Sequence, residues 1–139
     1  MASSPRRGHV LGVTMIVALM GCAVGPSFEE YLTTVKSAGG TNAQDCGVVR
    51  RSESDKIALA CASDALAQNR SFIAVFERRG IDSQVFASVV GNERGELWRI
   101  SWDSDVTGGA GGNPWPKRRI FRTVCERAWS DTIAKCINS

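Results

Sequence analysis

The chain is short of histidine, of tyrosine and of apolar runs long enough to span a membrane, and each shortage removes a class of function. Its one histidine is His9, in an N-terminal stretch that reads as a leader. The chain beyond the leader therefore has no Ser-His-Asp or Cys-His nucleophile, no general base with an ordinary pKa near neutrality, and no His-ligated zinc or copper site. An enzyme built on it would have to use carboxylates, lysine, serine or the one tyrosine, Tyr31. No Cys-x-x-Cys pair places two thiolates on one cation. The apolar run at residues 10–20 has 11 residues, against the roughly 20 that a helix needs to cross a bilayer. No internal repeat is present.

That run is the first thing the chain does have. Arg6 and Arg7 precede it and no acidic residue occurs in the first 21 residues, so charge and length fit the core of a signal peptide. The run closes on Leu19-Met20-Gly21-Cys22, which closely resembles the lipobox of bacterial lipoproteins. The resemblance covers residues 1–22 alone. It implies a diacylglycerol group on the Cys22 thiol, cleavage between Gly21 and Cys22, and acylation of the new amine. Leu19, Gly21 and Cys22 match the pattern, and Met20 occupies its tolerant position. One acyl chain holds a protein only marginally, whereas two or more anchor it, so the expected mature protein is tethered to a membrane. In lipoproteins of this type an Asp after the lipidated Cys favours the inner membrane. Ala23 stands there, so the resemblance implies the outer membrane, facing the periplasm.

Loss of residues 1–21 leaves 118 residues, enough for one domain, with 15 basic against 14 acidic side chains. Near-neutrality gives no argument for a nucleic-acid partner. Setting Cys22 aside leaves Cys46, Cys61, Cys125 and Cys136, an even set in an exported domain, which reads as two disulfides. Local pairs, Cys46 with Cys61 and Cys125 with Cys136, are preferred. The second carries a conflict: a continuous helix between them would hold their Cα atoms about 16 Å apart, beyond the bridge limit of about 7 Å. Either that helix is broken or the pairs run across the domain.

Residues 22–44 read as the lipidated cysteine, a tether and a short helix capped by Ser27. Its Phe28, Tyr31, Leu32 and Val35 fall at i, i+3, i+4 and i+7. The helix is half of a core or a stalk, and residues 37–44 read as a linker, so the compact disulfide-stabilised domain is expected over 45–139. Ser52 and Asp55 offer a variant capping box for a helix at 54–68, with Ile57, Ala58, Cys61, Ala62, Ala65 and Leu66 on one apolar face. Strands are expected at 72–76, 83–90, 96–102 and 119–124. In the third, Trp98, Ile100 and Trp102 alternate with Leu97, Arg99 and Ser101, which suits a sheet with one covered face. A short helix at 126–134, with Trp129 and Ile133 inward, closes the chain. The expected fold is α+β: an antiparallel meander of about four strands, one main helix on one face, and short terminal helices.

Three places invite a functional reading. Residues 103–117, DSDVTGGAGGNPWPK, form a long irregular stretch, a length usually functional or disordered. Asp103, Asp105, Thr107 and Gly108 open like a Ca²⁺ loop, but Pro114 stands where a bidentate Glu belongs, and no Lys-Ser or Lys-Thr follows the glycines as in a phosphate loop. No metal or cofactor is expected. Lys117, Arg118, Arg119, Arg122 and Arg127 cluster beside Trp115 and Trp129, a surface for an anionic polymer or an acidic envelope protein, or an ordinary solvated strand face. Asp82, Asp103 and Asp105 fall at strand ends and offer carboxylates of the kind that hydrolyse glycosides without histidine, though aspartate is common in turns. The expected function is a non-enzymatic accessory or interaction module tethered in the envelope, with Asp103, Asp105, Trp115, Lys117, Arg118 and Arg119 as the contact loop. The alternatives are an inhibitor or immunity-type lipoprotein that blocks an envelope-targeting hydrolase, and a carboxylate-based hydrolase.

Overall fold

A computed structural model describes residues 25–107, 117–126 and 132–138. The order of elements is α1 (Phe28–Gly39), β1 (Gln44–Val49), α2 (Lys56–Ala67), β2 (Phe72–Arg79), β3 (Gln84–Gly91), β4 (Leu97–Asp103), β5 (Arg119–Val124) and α3 (Thr132–Asn138). The fold is α+β, as the pattern implies, but the sheet has five strands in the order β1-β2-β3-β4-β5. The expected strands form the antiparallel meander β2 to β5. The fifth strand, β1, pairs parallel to β2, so the sheet is mixed. A parallel pair needs a crossover, and α2 supplies it.

Helices cover both faces of the sheet. On one face α1 buries Tyr31 and Val35 against Val75, Phe86, Val90, Ile100 and Trp102. On the other, α2 and α3 bury Ala58, Ala62, Ala65, Ile133 and Ile137 with Phe72, Ala74, Phe76, Val89 and Leu97. The alternation in β4 therefore serves two cores: Ile100 and Trp102 are buried under α1, while Leu97 and Ser101 are buried on the opposite face. The expectation of one covered face is corrected accordingly. Of the two roles open to α1, the structure shows half of a core. Its start is set by a capping box, in which the Ser27 hydroxyl accepts from Glu30 N–H and the Glu30 carboxylate accepts from Ser27 N–H. The indole Nε1–H of Trp102 donates to the Pro26 carbonyl at 2.9 Å, which ties the approach to α1 onto the end of β4.

Local expectations change for physical reasons. Helix α2 starts after Asp55, whose side chain makes no capping bond; Glu53 instead folds back to accept from Arg50 N–H at 2.8 Å. The buried face of α2 is its alanines, and Ile57 is 84% exposed, because the close contact of Ala58, Ala62 and Ala65 with the sheet turns Ile57 outward. The last helix is Thr132–Asn138, later than expected, and this resolves the disulfide conflict. Cys125 lies before the helix and Cys136 within it, with Cα atoms 5.4 Å apart. Cys46 in β1 and Cys61 in α2 are joined across 5.7 Å. Both pairs are local. Trp129 lies outside the described residues.

Candidate functional site

Helix α1 is narrower than the sheet face it covers, and a groove lies along each of its flanks. The apolar groove is built from two mismatches. The helix turns Tyr31 and Val35 toward β3 and β4, which leaves Leu32 on the flank facing β1. On β2, Ile73 and Val75 alternate toward α1, but β1 beside them brings one apolar side chain, Val48, and the carboxylate of Asp45 to that side of the groove. The result is a cavity of about 710 Å³ lined by Leu32, Val35, Val48, Ile73 and Val75, with the exposed Lys36 and Asp45 also on its walls. Val48 is 43% exposed, so part of the apolar lining is open to solvent. Gly40, Thr41 and Ala43 line the groove where α1 gives way to β1. Such a surface holds apolar side chains or an acyl chain by area burial, and an oppositely charged pair on its walls can orient a ligand.

The second groove, about 610 Å³, lies between α1 and the β3–β4 turn and is polar, with Thr34, Ser37, Glu93, Arg94, Glu96 and Arg122 among its walls. The Arg122 guanidinium stacks over the Trp98 ring at 3.9 Å. Glu96 accepts from the Asn92 amide at 2.7 Å and from the Trp98 indole at 3.4 Å. Asn92 and then Trp98 hold its carboxyl below the ordinary value of 4.5.

The structure separates residues that the sequence grouped. Arg119 pairs with Asp103 and Arg122 with Ile100; three residues apart on a strand, they point to opposite faces. The basic cluster is therefore divided: Lys117, Arg118 and Arg119 stand at one end of the sheet, and Arg122 joins the polar groove. Asp82, Asp103 and Asp105 share the end of the sheet where Lys117 to Arg119 stand, Asp82 in the β2–β3 turn and the others after β4. Two of them are committed to the backbone. Asp103 accepts from Asp105 N–H at 2.9 Å. Asp105 accepts from Thr107 N–H at 3.0 Å, from the Thr107 hydroxyl and, at 3.4 Å, from Lys117 N–H. The Val106 N–H donates to the Lys117 carbonyl at 3.0 Å. These bonds brace the stem of the 103–117 stretch. Trp115, the loop positions Gly108 and Pro114, Arg127 and Cys22, the residue expected to carry lipid, lie outside the described residues. Among the described residues no group of three or more His, Cys, Asp or Glu gathers to hold a metal ion, and no helix is long and apolar enough to cross a membrane.

Tyr31 is fully buried, and its hydroxyl donates to the Ile100 carbonyl at 3.4 Å. Burial pushes its phenol well above the usual range, only partly offset by a hydrogen bond with Ser88. It is a core residue, out of reach of a substrate. The apolar groove was missed in the sequence because β1 was. The one available signal was Val48-Val49, two apolar residues next to Cys46.

The class defined by these features is a disulfide-stapled α+β domain with a mixed sheet between helical layers and an apolar groove beside α1. No protein-family model, curated protein or solved structure matches the chain.

Proposed function

We propose that this is a lipid-anchored cell-envelope protein, tethered through Cys22 and facing the periplasm from the outer membrane, whose folded domain is a non-enzymatic interaction module. The observation that carries the module reading is the groove between α1 and β1, along which the apolar side chains of Leu32, Val35, Val48, Ile73 and Val75 form a continuous lining. The occupant this chemistry fits is an extended apolar segment of an envelope protein. Its hydrophobic side chains take the places that the narrow helix leaves open over Ile73 and Val75. Anchoring rests on the lipobox resemblance at Leu19, Gly21 and Cys22.

The test is a photo-crosslinking side chain at Val48 in the full-length protein in its own cells. The reading expects a discrete protein adduct that disappears when Thr41→Arg narrows the groove mouth, with thermal unfolding unchanged. An adduct indifferent to Thr41→Arg, or none at all, refutes the groove as the contact surface.

One observation favours a second reading, the inhibitor or immunity-type lipoprotein. The Asp105 carboxylate joins Thr107 and Lys117, the two ends of the 103–117 stem, and holding two ends of a contact segment together lowers the ordering cost of binding. That reading expects a tight stoichiometric complex with an envelope-targeting hydrolase, lost on Asp105→Ala. A carboxylate hydrolase is the weaker option, since Asp103 and Asp105 spend oxygens on local backbone donors.

A further inference from the structure

Few residues separate Cys22 from the point where the chain is fixed to the fold, which limits how the domain can stand on its membrane. Gly25 has φ +111°, and a Cβ there would collide with the Arg118 carbonyl, so residue 25 packs directly on the backbone before β5. Pro26 is held by Trp102, and Ser27 by the capping box. Only three residue steps separate Gly25 from Cys22, a reach of about 11 Å at full extension. The strands β2 and β3 have 8 residues each, so the sheet is about 26 Å long at roughly 3.3 Å per residue. The tether is less than half the length of the sheet.

We propose that the sheet end formed by the 50–55 connection, the 80–83 turn and the 117–119 approach to β5 lies against the bilayer, with Lys117 and Arg119 facing phospholipid phosphates. This rests on the reading that Cys22 carries the lipid. The tether alone selects the end: the β3–β4 turn at 92–95 closes the far end of the sheet, beyond the reach of an anchor held at Arg118. Charge then favours contact. Arg51, Arg79, Lys117 and Arg119 at this end are exposed. Several of its acids are turned onto the protein itself: Glu53 onto Arg50 N–H, Glu77 onto Arg50 and Arg51 N–H, and Asp103 and Asp105 onto the stem backbone. Asp82 in the 80–83 turn is exposed as well, but the exposed cations of this end outnumber its exposed acids, and cations near an anionic leaflet are attracted to it.

The orientation deepens the functional reading. Helix α1 starts at the bilayer end and finishes at Gly39, so the Gly40–Ala43 mouth of the apolar groove opens away from the lipid. A partner reaches it from the periplasm without competing with the membrane.

The experiment is amide hydrogen exchange on the full lipidated protein in vesicles containing phosphatidylglycerol, compared with the soluble Cys22→Ala protein, alongside the mass of the N-terminal peptide. The expected result is exchange slowed several-fold at 79–84 and 117–119 on the vesicles, with 92–95 unchanged. A double substitution, Lys117→Glu with Arg119→Glu, removes that slowing while the lipid mass remains. A lipidated chain that shows slowing at 92–95, or at neither end, overturns the orientation and leaves the anchor intact. A chain without the lipid mass overturns the anchor and the orientation with it.

Discussion

Replacing Tyr31 measures whether α1 is part of the fold, and the two substitutions that matter separate the ring from its hydroxyl. Tyr31 has no exposed surface, and its ring lies 5.6 Å from that of Phe28 and 6.5 Å from that of Trp102. Tyr31→Phe removes the long bond to the Ile100 carbonyl and the contact with Ser88, while the Ile100 carbonyl keeps its bond from the Ser88 hydroxyl at 3.0 Å. The cost is about 0.5–1 kcal/mol. Tyr31→Ala empties the space between α1 and β3 and costs about 3–5 kcal/mol, as for other buried aromatics. At roughly 4 °C per kcal/mol, the midpoint falls by about 12–20 °C. The assay is urea unfolding of the oxidised protein followed by tryptophan fluorescence, which reports on Trp102 beside the substituted ring. A loss below about 1 kcal/mol for Tyr31→Ala would refute the reasoning, because a core position emptied of an aromatic ring cannot be that cheap. Helix α1 would then be a stalk resting on a self-sufficient sheet. The same logic predicts that a chain begun at Asp45 does not fold cooperatively, since it uncovers Phe86, Val90 and Ile100.

Other outcomes depend on single contacts. Replacing Cys46 and Cys61 by Ala opens a loop of 15 residues and costs about 3 kcal/mol, and the 11-residue loop of Cys125 and Cys136 costs slightly less, both read by denaturant unfolding. Gly91→Ala places a methyl group on the fully buried ring of its cross-strand partner Phe72, and overpacking costs about 1–3 kcal/mol in the same assay. The depressed carboxyl of Glu96 makes its contribution to stability present above the ordinary value of 4.5 and lost as pH falls through the lower folded value. The stability difference between wild type and Glu96→Gln is therefore constant near neutrality and closes in acid; a difference that widens in acid contradicts the assignment.

Strands β2 to β5 and helix α2 are legible in the sequence because each carries a complete periodic signal bounded by turn residues. Residues 119–124 alternate between the two sheet faces, and Ala58, Ala62 and Ala65 keep helical spacing. Strand β1 has no such signal. It reads Gln-Asp-Cys-Gly-Val-Val, with Gly47 at φ +90° and a break in register between Asp45 and Val48. Its place depends on a parallel neighbour 28 residues further along, from Gln44 to Phe72, and on the bridge to α2, which are long-range facts. The stripe on α1 was visible, but a stripe does not say what it faces. The apolar groove lies between these two elements and was therefore hidden twice. The basic residues misled differently: proximity in sequence joined Arg119 and Arg122, which the strand's two-residue period places on opposite faces.

The central claim is that the protein is held in the envelope by a lipid on Cys22, with a folded domain begun only a few residues later. Intact mass of the protein extracted from the membrane fraction of its own cells tests this most directly. The account predicts a chain that starts at Cys22 and carries the mass of a diacylglycerol thioether with an acylated amine, while the Cys22→Ala variant leaves the membrane fraction. A mature chain that begins elsewhere, or begins at Cys22 without lipid, contradicts it.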